Sequence, residues 1–434
     1  MNLCPRTYRG RRFLGGPFCF LFPTLVCIFL AVLWITPSFG EENEEQKAAK
    51  GIRIALDRIE ALKRAPQPDL TALQNEYLIL FENYPRAEEA KRGIFELYHL
   101  MRTHQRIHEA YAALTKIMDV YHDNETMNNP YAPDQPILLV ATAQVELAFL
   151  FATGMDNPYT GIEKLKLALT RFPEKIVGTS APDRDYVGPI EAIAHWQLAD
   201  YYLAANQPDQ AGAELLSLVR DQAGKVIYQH GTRLAAATAG ILKLSEVMKK
   251  MPATEQKRLR LLQTFEQTAV EREARIWLKF LQAEIQTAAY QEWKNPGALD
   301  QGLAALQEVI VKHREVLLAG PEGEEPAGIR AMRIKRDITA NILGNVDRAG
   351  SELSVNYVEF AKDKKTRLFA GYALLYLAEL ELDFRRNAVS AFKMFGQVAD
   401  QYGDLELFPR LPKAPPRTLQ ERAKSWAKRA QERM

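Results

Sequence analysis

Apolar residues recur every three or four positions over long segments of this chain, which is the spacing of one face of an α-helix. The pattern is clearest in residues 188–221, where two such segments flank a polar break at residues 206–209. The apolar positions are Ile193, Leu198, Ala199 and Tyr202 before the break and Ala211, Leu215, Leu218 and Val219 after it. Pro208 marks the break because it fixes φ and has no N–H to donate to the preceding turn. This stretch therefore predicts two short helices folded back on each other.

The same arrangement recurs along the chain. In five places a small residue stands where the second helix of a pair approaches the first, namely at Ala110, Gly161, Ala211, Gly302 and Ala391. The steps between them are 51, 50, 91 and 89 residues, and the last two are about twice 45, so each is expected to hide one more unit. Residues 41–410 thus predict helix after helix, with no convincing strand, in about eight antiparallel hairpins.

The stretch 188–221 resembles the tetratricopeptide repeat, with which it shares residue types at Leu198, Ala199, Tyr202, Ala211 and Leu215. His195 stands where that family usually has Trp, and the closing Pro of the family's unit is missing. The family's period is about 34 residues, and long polar loops at 122–136 and 174–188 account for part of the difference. The resemblance implies an all-α fold, an α-solenoid whose stacked hairpins share a core and curve around a concave surface. Another class of α-solenoid is the alternative.

The first forty residues predict export from the cytoplasm. Four arginines precede an uncharged apolar run over residues 13–39, which ends in small residues before Glu41. This is typical of a signal peptide cleaved before Glu41. The run is also long enough to span a bilayer, so an uncleaved inner-membrane anchor is the alternative. Either way the positive end stays inside, which places the body in the periplasm or elsewhere outside the cytoplasm.

The tail, residues 411–434, differs from the repeats. Three prolines precede a helical stripe formed by Leu419, Ala423, Trp426, Ala427 and Ala430, and the remaining positions are rich in Lys and Arg. The stripe favours a capping helix that covers the last hairpin, because its alanines would bury little area in a membrane. A helix that contacts anionic lipid is the other interpretation.

The charge balance and the positions of the cysteines argue against two classes of function, nucleic-acid binding and cysteine-based chemistry. The net charge is +2, and because residues 1–40 hold four of the 56 basic residues, the rest carries 52 basic against 54 acidic residues. Such a balance does not favour binding to nucleic acid. All three cysteines lie in residues 1–40, so no thiolate nucleophile or Cys-based zinc site is expected in the body.

No motif with a catalytic mechanism is convincing. His104 and His108 are four residues apart on a helix, but Glu109 points elsewhere and a third metal ligand is lacking. Ser390 and Lys393 match the Ser-x-x-Lys string without its companion motifs. We therefore predict no catalytic, cofactor-binding or metal-binding residue and no enzymatic activity. Tyr98, Tyr121, Tyr202 and Tyr402 are expected to pack between helices.

The function suggested by the resemblance is that of a protein–protein interaction scaffold in a bacterial envelope, with a peptide or an envelope protein on its concave face. The alternative is a binding module for an anionic polymer or glycan. It would use basic clusters at residues 249–250, 257–260, 330–336 and 362–367 if these share one side. A cryptic enzyme, for example one acting on the cell wall, is a third hypothesis.

Overall fold

The structure, a computed structural model, describes residues 43–251, 255–320, 323–409 and 417–434. The chain divides into two compact units, Met1–Pro66 and Gln67–Met434. The described part of the first unit is one helix, α1 (Glu44–Lys63), which begins with a capping box. Asn43 accepts the backbone N–H of Glu45, and the Gln46 side chain accepts the N–H of Asn43. The predicted signal or anchor at residues 1–40 lies outside the described residues.

Helices dominate the second unit, as the apolar spacing predicts. They are α2 (Leu70–Asn83), α3 (Glu88–Thr103), α4 (Ile107–Val120), α5 (Leu139–Phe149), α6 (Pro158–Arg171), α7 (Ile190–Ala204), α8 (Pro208–Asp221), α9 (Ala236–Lys250), α10 (Glu255–Thr268), α11 (Arg272–Trp293), α12 (Pro296–Lys312), α13 (Ala327–Asp337), α14 (Val346–Phe360), α15 (Arg367–Asp383), α16 (Ala388–Tyr402) and α17 (Leu419–Gln431). The first helices of successive pairs also pack on one another, α7 on α9, α9 on α11 and α13 on α15. Helices α5 and α13 continue into π-helical turns, Leu150–Gly154 and Ile338–Ile342.

In several pairs the turn between the two helices has the same backbone geometry. Asp156, Asn206 and Arg386 take positive φ values of 49°, 58° and 55°, which let the chain reverse after the first helix. In several pairs an asparagine then caps the second helix, as Asn157 does by accepting the Thr160 N–H at 3.1 Å. Asn295 caps α12 in the same way, so the Asn-Pro pairs at 157–158 and 295–296 begin second helices.

The small residues of the second helices lie at close helix contacts. Ala110, Ala211 and Ala391 are fully buried. At Gly161 an added Cβ would lie 2.6 Å from the Cβ of Ala152, so only glycine fits there without movement. The two double-length steps each contain two further helices, α9 and α10 in the first and α13 and α14 in the second. Helix α10 packs mainly on α11 and α8 rather than on α9, so the first step does not hold the simple hairpin predicted.

The prediction that the chain has no strand is wrong. The described residues contain four antiparallel β-hairpins, formed by β1 (Thr126–Met127) with β2 (Ile137–Leu138), β3 (Ile176–Ala181) with β4 (Arg184–Pro189), β5 (Val226–Gln229) with β6 (Thr232–Ala235), and β7 (Leu317–Gly320) with β8 (Gly323–Pro326). The first two hairpins lie largely in the polar loops predicted at 122–136 and 174–188, and the β5–β6 hairpin lies where no loop is predicted. The chain is therefore mostly helical, with small antiparallel sheets between helix pairs.

Each β-hairpin is tied to the helix that follows it by the same hydrogen bond. The N–H of the first helical residue donates to the carbonyl of the residue before or at the start of the hairpin. The pairs are Leu139 to Glu125 at 3.0 Å, Ile190 to Lys175 at 2.8 Å, Ala236 to Lys225 at 2.9 Å and Ala327 to Val316 at 2.8 Å. Strand β4 also pairs with β5, through Tyr186 with Gln229 and Val187 with Tyr228, which makes a four-stranded sheet.

A buried ion pair fastens the β3–β4 hairpin to the helices beneath it. Glu146 of α5 is fully buried and accepts hydrogen bonds from the Arg184 Nε at 2.8 and 2.9 Å. The hydroxyl of Tyr186 donates to the same carboxylate at 2.6 Å, and the guanidinium carbon of Arg184 lies 3.5 Å from the ring centre of Phe149. Burial raises the pKa of Glu146, but the charge of Arg184, the nearby His99 and the hydrogen bonds from Tyr186 and Arg184 together outweigh burial, so the pKa lies below its usual value.

A buried histidine makes a second link to this hairpin. Nε2 of His99, in α3, lies 2.7 Å from the hydroxyl oxygen of Thr179 in β3, and both side chains are buried. Burial lowers the pKa of His99 to about 4. The imidazole is therefore neutral near pH 7, which suits a site with no room for an extra charge.

The tail contains the predicted helix, α17. Leu419, Ala423 and Ala430 are buried, and the Trp426 ring lies 6.0 Å from that of Phe395 in α16. The helix therefore packs on the last hairpin along its alanine-rich stripe. Among the residues that the structure describes, no helix is both long and apolar enough to cross a membrane.

Candidate functional site

A groove of about 890 Å³ runs between three first helices, α9, α11 and α13. We call it the α9–α11–α13 groove. Its floor and walls are mainly aliphatic and aromatic, with polar groups toward the edges. They include Ile241, Leu242, Ser245 and Lys249 from α9, Trp277, Phe280, Leu281, Glu284, Thr287, Ala288 and Gln291 from α11, and Arg330, Ile334, Asp337, Ile338, Asn341 and Ile342 from α13 and its π-helical turn. Its volume lies within the range of protein ligand sites.

Helix α11 supplies the central wall because one of its faces is exposed to the groove over several turns. The lining residues from Trp277 to Gln291 follow the three-and-four spacing of a single helical stripe. The Trp277 and Phe280 rings lie 5.7 Å apart at an angle of 60°, and both side chains are buried against the neighbouring helices. The two rings therefore form the base of this wall, and its exposed positions are Glu284, Ala288 and Gln291.

Helix α13 forms the opposite wall, and its geometry changes within the groove. The π-helical turn Ile338–Ile342 brings Ile338, Asn341 and Ile342 to the lining, which a regular helix would space differently. The Arg330 guanidinium carbon lies 4.7 Å from the ring centre of Trp277 and so connects the two walls.

The charges along the groove are neutralised by partners. Lys249 Nζ lies 2.9 Å from a Glu284 carboxylate oxygen, and Arg330 Nε lies 3.3 Å from Glu325. Asp337 is 2.7 Å from an Nη atom of Arg336, which also reaches Glu379 at 2.6 Å. A ligand in the groove would thus meet apolar surface and neutral pairs rather than a strong field.

The residues considered as candidate chemistry from sequence lie elsewhere. His104 is exposed at the end of α3, with Nδ1 2.9 Å from the Leu100 carbonyl oxygen. In the described part of the chain, no three His, Cys, Asp or Glu side chains are grouped so that they could hold a metal ion. Ser390 lies in the first turn of α16, and Lys393 is exposed on the same helix.

The tyrosines behave largely as predicted. Tyr98, Tyr121 and Tyr402 are buried between helices. Tyr202 is half-buried instead, because its hydroxyl accepts a hydrogen bond from Lys166 at 2.7 Å.

Several basic side chains proposed for an anionic partner are already paired within the chain. The pairs are Lys257 with Asp209 at 3.0 Å, Lys335 with Glu352 at 3.2 Å, Arg336 with Glu379 at 2.6 Å and Arg367 with Asp404 at 2.7 Å. These cations are thus less available to an external anion than the sequence suggests.

The groove itself was missed from sequence. Its lining comes from three helices that are far apart in the chain, and each contributes only part of the surface. Helix α11 carries the one local sign of the groove in the sequence. Its apolar residues cover a wider part of the helix surface than packing on α12 needs. A scan against protein-family models finds no match, and a search of curated proteins finds none at a significant level.

Proposed function

We propose that this chain is a non-catalytic interaction scaffold, built as a tetratricopeptide-like α-solenoid, that holds an apolar segment of a partner protein in the α9–α11–α13 groove. The observation that carries the proposal is the groove, with its aromatic wall and neutralised edges. The partner is an envelope protein or peptide, and the scaffold works outside the cytoplasm, as the first forty residues predict.

Three features support the solenoid architecture. Small residues recur in the second helices, the left-handed turn with an asparagine cap recurs between helices, and one hydrogen bond recurs at the start of first helices. Contacts also follow sequence order, since neighbouring pairs pack on each other. Repeats that contact only their neighbours are the defining property of solenoids.

The chemistry of the groove favours an apolar peptide segment as its occupant. Leu242, Ile334 and Ile342, which are half-buried in the lining, offer surface to aliphatic or aromatic side chains. The exposed amides of Gln291 and Asn341 at the edge suit the backbone groups of such a segment, which need hydrogen-bond partners. Because the charged groups are paired, strongly charged segments gain little there.

Site-specific photocrosslinking would test this proposal. A photoreactive amino acid is placed at Gln291 in the full chain, expressed in its own cells, and the crosslinked peptides are identified by mass spectrometry. We expect one partner segment rich in apolar residues. The same label at Ala304, which is exposed on α12 outside the groove lining, serves as the matched position.

Two variants in which an alanine is replaced by glutamate distinguish binding in the groove from binding elsewhere on the protein. Ala288→Glu places a carboxylate on the exposed groove wall, and Ala304→Glu makes the same change on α12. We expect the first to weaken partner binding at least about tenfold, because a charge facing apolar side chains is desolvated. Equal binding by both variants, or crosslinking at Ala304 alone, would refute the groove as the binding site.

A further inference from the structure

A second cavity, of about 680 Å³, lies on the outer face of the four-stranded sheet β3–β4–β5–β6. Side chains alternate along a strand, so Tyr186 and Ile227, which are buried, face the helices. The alternate positions, among them Tyr228 and Arg233, face outward and line the cavity. The cavity is thus separate from the α9–α11–α13 groove and formed by different elements.

The loop between β1 and β2 covers this outer face and turns it into a cleft. The Tyr131 ring stacks on that of Tyr228 with centres 5.0 Å apart and planes 8° from parallel. The Tyr131 hydroxyl also donates to Asp185 at 2.6 Å. The Asn129 side chain holds the loop in shape by accepting the Tyr131 N–H at 2.9 Å and donating to the Gln135 carbonyl at 2.9 Å. We call this space the sheet cleft.

Three cations line the sheet cleft, Lys175, Lys225 and Arg233, and all three are exposed. Within the described residues none of them forms a side-chain hydrogen bond or an ion pair. Of the carboxylates that line the cleft there, Asp123 is paired with Arg171 at 2.9 Å through both oxygens. Among these lining residues, Glu174 is then the remaining carboxylate beside three cations, so the cleft carries a net positive charge.

The two lysines are held at equivalent places in successive repeats. The carbonyl of each accepts the N–H of the first residue of the following helix. The pairing of β4 with β5 joins the β3–β4 and β5–β6 hairpins in one sheet, and both lysines line the same cavity. Two lysines in one cavity suit a ligand with more than one negative group.

Neutral polar groups complete the lining. The amide side chains of Asn124 and Gln135 are exposed in the cleft and make no side-chain hydrogen bond to other described residues. Amides both donate and accept, which is what hydroxyl groups need from a protein surface. Cations alone would suit any anion, whereas cations beside free amides suit an anion that also carries hydroxyls.

We propose that the sheet cleft binds an anionic saccharide, with its acidic groups on Lys175, Lys225 and Arg233 and its hydroxyls on Asn124 and Gln135. The cleft is large enough for a short oligosaccharide segment. This site does not depend on the groove, so the chain would hold a protein segment at one place and a polymer at the other.

Calorimetric titration of the full chain with trigalacturonate, a carboxylated trisaccharide, tests the site. Maltotriose is the neutral saccharide control, and tripolyphosphate is an anion without hydroxyl-bearing sugar rings. We expect trigalacturonate to bind, with an affinity that falls as salt rises from 50 to 200 mM, in line with about 10 Å screening at 0.1 M. Maltotriose should bind at least about tenfold more weakly, since it lacks the charge-assisted contacts.

Paired variants locate the binding. Lys175→Ala with Lys225→Ala should weaken trigalacturonate at least about tenfold. Lys393→Ala with Lys424→Ala removes the same charge from exposed helix positions and should leave binding unchanged.

Asn124→Ala with Gln135→Ala should weaken trigalacturonate but not tripolyphosphate. No binding of trigalacturonate at 50 mM salt, equal loss in both lysine pairs, or binding of tripolyphosphate alone would each overturn the proposal. Circular dichroism of every variant confirms that the fold is retained.

Discussion

Removal of the Glu146 carboxylate should loosen the β3–β4 hairpin far more than it changes any helix. In Glu146→Ala the buried Arg184 loses the partner that accepts its Nε, and the Tyr186 hydroxyl loses its acceptor at 2.6 Å. Breaking one side of a buried ion pair costs about 3–5 kcal/mol, because the other charge is left buried and unpaired. Tyr186→Phe removes only one hydrogen bond to a charged group and should cost about 1.5–3 kcal/mol.

The assay is hydrogen exchange followed by mass spectrometry, because repeat arrays open regionally and a single unfolding transition is not assured. A loss of about 3 kcal/mol raises the exchange of amides in residues 176–189 by roughly 100-fold, at 1.4 kcal/mol per tenfold. The same amides should respond less in Tyr186→Phe. Helices α15 and α16, which lie far along the chain, should exchange as in the unchanged protein and serve as the internal control.

A double variant gives the decisive comparison. Glu146→Leu with Arg184→Met removes both charges and keeps apolar volume, so it should cost less than Glu146→Ala alone. The free-energy cost of the double variant is compared with the costs of Glu146→Leu and Arg184→Met measured separately. If it equals their sum, the ion pair is not the source of the stability. Unchanged exchange of residues 176–189 in Glu146→Ala would likewise refute the reasoning.

Two further predictions concern a buried histidine and two glycines. The folded-state pKa of His99 is about 4 against an ordinary 6.5, so its contribution is present above pH 6.5 and is lost as the pH falls toward 4. The loss amounts to about 3 kcal/mol. Hydrogen exchange of residues 176–181 at pH 7 and pH 4.5, corrected for the intrinsic exchange rate, should show a smaller fall in stability for His99→Gln than for the unchanged protein, and an equal fall would contradict this assignment. Gly161→Ala should destabilise by about 1–3 kcal/mol, because its Cβ would lie 2.6 Å from Ala152. Gly396→Ala should stabilise the fold by about 0.5–1 kcal/mol, because nothing lies within 4 Å of the added Cβ. The two variants are compared by the shift in their thermal unfolding temperature. Equal shifts would show that the close contact at Gly161 is irrelevant.

The helices could be predicted from sequence because each is specified locally. The apolar spacing around Leu198 and Leu215, the Asn-Pro starts and the small residues such as Gly161 all act within one helix or between two consecutive ones. Helices α9 and α10 could be placed from the apolar spacing and the break at Met251-Pro252, whereas α13 and α14 have more degenerate motifs and depend mainly on the double-length step.

The strands were missed although a signal was present. Residues 174–188 contain Val177, Thr179 and Tyr186, which favour strands, on both sides of a Pro-Asp turn. The abundance of polar residues in this segment favoured a loop instead. The partners that make it a sheet, β5 and the helices beneath, are far away in sequence, as are Glu146 and Arg184.

The two candidate sites could not be predicted from the sequence, because each is formed by residues that are far apart in the chain. The groove depends on the π-helical turn after α13 and on the side-by-side packing of first helices. The sheet cleft depends on the pairing of β4 with β5, which joins two hairpins in one sheet, and Lys175 and Lys225 both line the cavity on it. Neither property is encoded by residues that are neighbours in the chain.

The pairing of β4 with β5 closes the α7–α8 pair into a loop with a fixed base. The strand that enters the pair and the strand that leaves it lie side by side, so Val187 and Tyr228 face each other about 5 Å apart at the Cα atoms. The two helices are therefore held at their base by main-chain hydrogen bonds as well as by side-chain packing on their neighbours.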